Sequence, residues 1–265
     1  MPIFAPFGYI KNPDIEPTPP WAPSDFTNVQ YWWRADLGVT TSGTDVTNWV
    51  DQINGLDITQ TNAANRPTLI ASAATLNGQA VITFNGTTDW LSSKTSPAAV
   101  SSTDVTTLSV YRIPNTTPGD GIIFGYSGIG PYAGRMFPDG VSGNLRNYTQ
   151  WASGGSTTVI ESPMTSGNKF YYWNYDTSAG SEVYAYNTLS TTSKVSGGLT
   201  GRTNNQNLVV AVGATINSVG NNTVFGGRYI ELVSAENVVI YGTPTTQELN
   251  DWKSYVNTRY GTIIS

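Results

Sequence analysis

The side chains that most often carry out catalysis are missing from this sequence. Its 265 residues include no cysteine and no histidine. Their absence removes thiol nucleophiles, disulfides, zinc sites built on Cys or His, and the Ser–His and Cys–His pairs of nucleophilic catalysis. The carboxylates are the next side chains to test for chemistry.

Glycoside hydrolysis is a reaction that two carboxylates support, provided that they face one cleft about 5–10 Å apart. The glutamates are scattered along the chain, at Glu16, Glu161, Glu182, Glu231, Glu236 and Glu248. Glu231 and Glu236 are five residues apart, so on an unbulged strand they point to opposite faces. The spacing predicts a protein that is not an enzyme.

A calcium site is the second chemistry that the acidic residues could support, and it needs clustered oxygen ligands. The sequence instead spreads Asp36, Asp51, Asp57 and Asp89 along the chain. We expect these carboxylates to cap turns or to accept backbone N–H groups. The prediction is that the protein uses no metal and no other cofactor.

Aromatic rings beside amides and arginine favour sugar binding, because ring faces stack on the C–H groups of a pyranose. Such residues occur together at Tyr132, Arg146, Tyr148 and Trp151, among glycines and asparagines. We predict these four as the glycan-contacting residues, and a second aromatic set follows at positions 171–175. The alternative is that both sets belong to a sandwich core and an ordinary sheet face.

The first 25 residues differ from the rest of the chain. Proline is dense in Met1–Asp25, which prevents helix and favours extended, polyproline-like backbone. This arm contains four aromatic residues, Phe4, Phe7, Tyr9 and Trp21. One reading is that these four anchor the arm on a neighbouring subunit; the other is that the arm folds back over its own domain.

The remainder, residues 26–265, is predicted to be one domain of short strands. Segments such as Val105–Ile113 are rich in β-branched residues, and turn dipeptides such as Asn77-Gly78 and Asn85-Gly86 separate the segments. One helix is expected at 245–260, since Thr245 and Glu248 have capping-box spacing. Its apolar stripe is predicted to pack on the sheet.

Composition narrows the classes of partner. Charged residues make up 12% of the chain and the net charge is -5, which excludes the basic face that nucleic acid requires. No apolar run reaches the ~18 residues of a membrane helix, and the N-terminus does not resemble a secretion signal. The expectation is a protein that contacts neither nucleic acid nor membrane.

Several sequence pieces, in order, resemble one family. They are YWWRADLGVT (Tyr31–Thr40), TNWVDQ (Thr47–Gln52), NRPTL (Asn65–Leu69), LNGQAVITFNGTTDWL (Leu76–Leu91), GGRYI (Gly226–Ile230), AENVVIY (Ala235–Tyr241) and the closing helix Pro244–Gly261. Together they resemble the laminin-G-like branch of the concanavalin-A-like jelly rolls, in the form found in bacteriophage structural proteins. The resemblance implies an all-β jelly-roll sandwich of two antiparallel sheets with one C-terminal helix.

The resemblance also implies a function. Its hydrolase relatives carry an alternating Glu-x-Asp-x-x-Glu strand, which this chain lacks. The main expectation is a non-enzymatic phage virion protein, a capsid decoration or a head or tail appendage, anchored by its arm to other virion proteins. An oligomer is expected, with a trimer as one arrangement. The alternative is a carbohydrate-binding, host-recognition module of a tail, extracellular or cell-surface protein.

Overall fold

The computed structural model describes residues 20–94, 105–114, 121–127, 132–139, 144–150, 157–163, 167–176, 180–185, 188–190, 209–216 and 224–261. Between positions 126 and 190, strands are described by their backbone and register. The strands are β1 (Val29–Arg34), β2 (Val39–Ser42), β3 (Asp45–Trp49), β4 (Ile58–Thr59), β5 (Thr68–Ala73), β6 (Gln79–Asn85), β7 (Leu91–Ser93), β8 (Val105–Ile113), β9 (Gly125–Ser127), β10 (Tyr132–Asp139), β11 (Asn144–Gln150), β12 (Thr157–Pro163), β13 (Gly167–Asp176), β14 (Gly180–Ala185), β15 (Thr188–Ser190), β16 (Val209–Val212), β17 (Ala214–Ile216), β18 (Val224–Tyr229) and β19 (Glu231–Ile240). A single α-helix, α1 (Thr246–Tyr260), follows them.

Seventeen of the strands form one antiparallel sheet that curls into two layers, and β17 and β18 pair separately with each other. In the first layer, the helix sheet, the strand order is β5, β6, β19, β8, β13, β14 and β15. Strand β1 also pairs with β19, beyond the part that pairs with β6. The second, the groove sheet, runs β2, β3, β4, β7, β16, β9, β10, β11 and β12. Asp45 of β3 pairs with Thr68 of β5 and joins the layers at one edge. The predicted all-β jelly-roll sandwich is confirmed.

The core between the layers is built on two fully buried tryptophans, Trp33 of β1 and Trp49 of β3. Each indole N–H is satisfied, by the carbonyl of Leu56 at 3.2 Å and of Arg34 at 3.0 Å respectively. Burying two large rings together with their donors is worth several kcal/mol. Trp32, between Tyr31 and Trp33, turns to the opposite face of β1 and joins a second cluster.

Helix α1 covers the outer face of the helix sheet. Its stripe of Trp252, Val256 and Tyr260 is buried against that sheet, as predicted. Thr245 and Glu248 form the predicted capping box, which satisfies free N–H groups at the helix start. Within the described residues, no helix is long and apolar enough to cross a membrane.

The described end of the N-terminal arm contacts its own domain. Pro23–Asp25, which the sequence placed in an extended arm, form a 3-10 turn. Trp21 packs edge-on against Phe26 at a centroid distance of 4.9 Å and lies 6.4 Å from Trp252. This part of the arm therefore follows the alternative in which the arm folds back.

Candidate functional site

Three of the four residues predicted to contact glycan, Tyr132, Arg146 and Tyr148, lie at the far end of the groove sheet. Tyr132 stands opposite Gln150, and Tyr148 and Arg146 follow on the same strand, β11. Positions 146, 148 and 150 share one face of the sheet because they alternate along one strand. The fourth residue, Trp151, and the arm residues Phe4, Phe7 and Tyr9 lie outside the described residues.

A polar groove crosses the outer face of the same sheet, over β3 and β4. Sequence alternation alone would not create it, because Val46 and Trp49, three residues apart, both point into the core. A register shift lets Thr40 and Thr41 of β2 pair with Asn48 and Val46, which leaves an extra residue in β3. The bulge puts two successive polar residues, Thr47 and Asn48, on the outer face.

The groove has a volume of about 590 Å³ and is lined by Thr47, Asn48, Gly55, Asp57, Thr59, Gln60, Thr61, Arg66 and Lys94. The lining carries two cations, one carboxylate and several hydroxyl and amide groups. This mixture of donors and acceptors without an aromatic ring favours a ligand covered with hydroxyl groups. One carboxylate among the lining residues does not make the pair that glycoside hydrolysis uses.

The amide of Asn48 is held by one contact and leaves a second group unmet. Its Nδ2 donates to Oδ2 of Asp57 at 3.2 Å, which fixes the side-chain orientation. Its Oδ1 is buried and accepts no hydrogen bond from the described residues. A buried carbonyl without a donor is costly, so a water molecule or ligand hydroxyl group that reached it would be stabilised there.

Arg66 presents its positive charge from a fixed position on the groove wall. Its Nε donates to the carbonyl of Gln60 at 3.2 Å and its Nη2 to the carbonyl of Thr61 at 3.0 Å. Gln60 is itself buried and donates to the carbonyl of Trp90 at 3.3 Å. The wall is therefore preorganised, which lowers the cost of ordering it around a ligand.

Two further unmet polar atoms belong to Ser92 of strand β7 and to Trp90, which directly precedes this strand. Ser92 of β7 stands opposite Thr59, and its Oγ is buried without a partner among the described residues. The Nε1 of Trp90 is likewise buried without a hydrogen-bond partner among the described residues. Unmet buried donors and acceptors are rare in folded proteins and often mark sites for water or ligand.

A second group of functional side chains lies under helix α1. Glu236 is fully buried and accepts hydrogen bonds from Trp32 Nε1 at 2.5 Å, Tyr260 Oη at 2.6 Å and Tyr255 Oη at 3.0 Å. Burial raises the pKa of Glu236 to about 7, against the lowering effect of its donors and of Arg34. The carboxyl group is sealed from solvent, so its position suits anchoring of the helix rather than catalysis.

Strand β19 corrects one premise of the sequence argument about glutamates. A register shift between Ser234 and Glu236 places a bulge at Ala235. The extra residue reverses the alternation, so Glu231 and Glu236 project on the same side of the strand. Nothing in the sequence marks this bulge, because Ala235 sits in an otherwise regular strand pattern.

Two of the four aspartates accept backbone N–H groups as predicted, whereas Asp36 pairs with two arginines and Asp57 accepts the side-chain amide of Asn48. Asp51 is buried and accepts the backbone N–H groups of Trp32 at 2.6 Å and Asn54 at 2.7 Å. Asp89 accepts the N–H of Asn85 at 3.1 Å. Asp51 and Asp89 therefore each stabilise a turn. Among the described residues no three acidic side chains are grouped as metal ligands.

Similarity to known proteins is seen in structure and not in sequence. No family model and no curated protein matches this chain. The binding domain of Paraclostridial Mosquitocidal Protein 1 superposes with a TM-score of 0.59 at 11% identity over 86% of this chain and 52% of its own. The ligand binding domain of botulinum neurotoxin serotype D, in complex with N-acetylneuraminic acid, gives 0.58 at 9% identity over 88% and 51%.

A third structure matches over nearly its whole length. Domain 4 of an extracellular GH43 arabinanase from Geobacillus stearothermophilus, in complex with arabinotriose, gives a TM-score of 0.56 at 13% identity over 86% of this chain and 98% of its own. The chain spans about half the length of the two toxin domains. At these identities the likeness shows the fold alone: a jelly-roll-like β-sandwich of the kind found in binding domains.

Proposed function

We propose that this chain is a non-enzymatic carbohydrate-binding module whose site is the polar groove of the groove sheet. The observation that carries the proposal is Asn48, held by Asp57 and left with an unmet, buried carbonyl oxygen in that groove. A sugar hydroxyl would donate to Asn48 and accept from Arg66. Paired hydrogen bonding of this kind is what orients a sugar ring in a concave site.

The similar structures add support of a different kind. Two of them hold sugars, arabinotriose in one and N-acetylneuraminic acid in the other. The predicted glycan-contacting strands β10 and β11 lie in the same sheet as the groove, separated from β4 by three strands. That separation is about 20 Å, so an extended saccharide could contact both.

The experiment is a glycan array that contains neutral arabinans and sialylated glycans, followed by calorimetric titration of the best ligand. Asn48→Ala and Asp57→Ala should each raise the Kd about tenfold, the loss expected for one or two hydrogen bonds to polar or charged groups. Thr40→Ala, on the exposed side of the neighbouring strand β2, is the matched control and should leave the Kd unchanged. A silent array, or wild-type binding by both groove variants, would refute the proposal.

The virion assembly role is a second candidate that rests on the sequence resemblance and the N-terminal arm. The described part of that arm contacts its own domain through Trp21, and the two similar structures with bound sugars support glycan binding as the main function. The assembly role predicts that removal of residues 1–25 abolishes incorporation into a particle. Unchanged incorporation would eliminate it.

A further inference from the structure

A second concave site lies on the opposite layer, between helix α1 and the N-terminal turn. This cleft has a volume of about 510 Å³. It is lined by Pro20, Trp21, Ala22, Arg34, Asn77, Gln79, Asp251, Ser254, Tyr255, Thr258 and Arg259. It is remote from the groove, because it lies on the outer face of the helix sheet. The proposed glycan-binding function leaves it without a role.

The cleft has a rigid aromatic wall. Trp21 and Tyr255 meet edge to face, with ring centroids 5.9 Å apart and planes inclined by 68°. Behind them Trp252 stacks on Tyr255 at 5.6 Å. Both lining rings keep part of their surface exposed, so they offer fixed apolar faces to an occupant. Rigid aromatic grooves of this kind recognise proline-rich polypeptide.

The rest of the lining is polar, and two of its exposed donors are hydroxyl groups. Arg34 and Arg259 are both held by Asp36, through Nε of Arg34 at 2.6 Å and Nη2 of Arg259 at 2.5 Å. The Nε of Arg259 is buried and has no partner among the described residues. Ser254 and Thr258 add exposed hydroxyl groups. With Asp36 and Asp251 opposing the two arginines, the cleft is close to electrically neutral.

A polyproline segment is the complement of such a lining. Proline has no N–H group, and in polyproline II backbone the carbonyl oxygens are free to accept. A partner must therefore bring donors and flat apolar surface, and this cleft brings both. A regular helix or a paired strand would offer few free carbonyl acceptors, because its carbonyl groups already accept backbone hydrogen bonds.

The sequence carries such a segment directly before Pro20. Pro20 is itself part of the lining, and residues 11–19, KNPDIEPTP, precede it with prolines at 13, 17 and 19. In polyproline II geometry nine residues span about 28 Å, enough to run along the cleft without a turn. We propose that the cleft is the docking site of residues 11–19 of the same chain.

Disulfide trapping in the full chain tests this, because the sequence has no cysteine of its own. Ile15→Cys is combined with Thr258→Cys inside the cleft, or with Ser24→Cys as the control. Ser24 is exposed, lies four residues beyond Pro20 and is not part of the lining. Docking should make the Ile15–Thr258 pair oxidise about tenfold faster than the control, because it raises the effective concentration of the two thiols.

Two changes sharpen the result. Replacement of Pro17 and Pro19 by glycine should reduce trapping at position 258 to the control rate, because the extended conformation is no longer preset. Ser254→Cys replaces Thr258→Cys if the latter alters the circular dichroism spectrum. Equal rates for cleft and control pairs would overturn the proposal, and so would a disulfide-linked dimer as the main product, which would assign the cleft to a second copy.

Discussion

The buried carboxyl group of Glu236 makes the stability of this protein fall with rising pH over a range in which most proteins change little. Its pKa is about 7 in the folded protein, against an ordinary value of 4.5. Between these values the folded state holds a proton that the unfolded chain has released. Stability from this group is therefore complete below pH 4.5 and is lost as the pH rises through 7.

The size of the effect follows from the two pKa values. A shift of one unit corresponds to 1.36 kcal/mol, so the full difference is about 3 kcal/mol. Between pH 5.5 and 8.5 the share that is lost is about 2 kcal/mol. For a chain of this length that loss corresponds to a fall in Tm of about 4–8 °C.

Between pH 5.5 and 8.5 the carboxylates whose pKa is lowered by folding, which affect stability in the opposite sense, do not change their charge. At Asp36, burial is outweighed by the hydrogen bond from Arg34 and the charge of Arg259, which lower the pKa. At Glu248, burial is outweighed by the N–H groups of Thr27 and Thr245, which also lower it. Their stabilisation is present above their ordinary pKa and lost only as the pH falls below it.

The assay is urea unfolding followed by tryptophan fluorescence at pH 5.5, 7 and 8.5. Glu236→Gln removes the titrating group, keeps the shape and should abolish the slope. Glu231→Gln, a half-exposed position on the same strand, is the matched control and should retain it. The reasoning fails if the wild-type slope is absent or if Glu236→Gln keeps it.

Three further predictions concern stability. Trp49→Ala should cost about 3–5 kcal/mol of the free energy of unfolding, since it empties the centre of the core; a cost under 1 kcal/mol by urea unfolding would contradict the packing. Thr245→Ala should cost about 1 kcal/mol and Thr245→Ser almost nothing, because the lost group is a helix cap. Gly213→Ala should cost about 3 kcal/mol, because its φ is +87° and a Cβ would lie 2.4 Å from the ring of Phe84; an unchanged Tm would show that the turn adapts.

Local chemistry accounts for the parts of the fold that the sequence predicts. Strand β8 has the predicted bounds, Val105–Ile113, because the segment is rich in β-branched residues. The helix begins where the capping box places it. These signals depend on residues within a few positions of one another, so a sequence contains them in full.

The candidate sites depend on contacts between distant residues and on irregular pairing. The groove needs the bulge in β3 and brings Lys94 beside Arg66. Trp21 was predicted to anchor a partner, and its contact with Trp252 crosses more than two hundred residues. Neither the bulge nor the contact leaves a local pattern, so the sequence alone could not predict the groove or the packing of Trp21.

The pairing of β1 with β19 has a consequence for how the chain acquires its structure. Val29 lies opposite Ile240, and the N–H of Thr27 donates to Glu248 at 2.7 Å. The pairing of β1 with β19 in the helix sheet therefore cannot form until the ribosome has synthesised the chain as far as Ile240. Contacts of such high sequence separation slow folding, because a long loop must close before they form. During synthesis on the ribosome, the aromatic side chains of β1 stay exposed until β19 has been synthesised. The chain is most prone to aggregation in this interval.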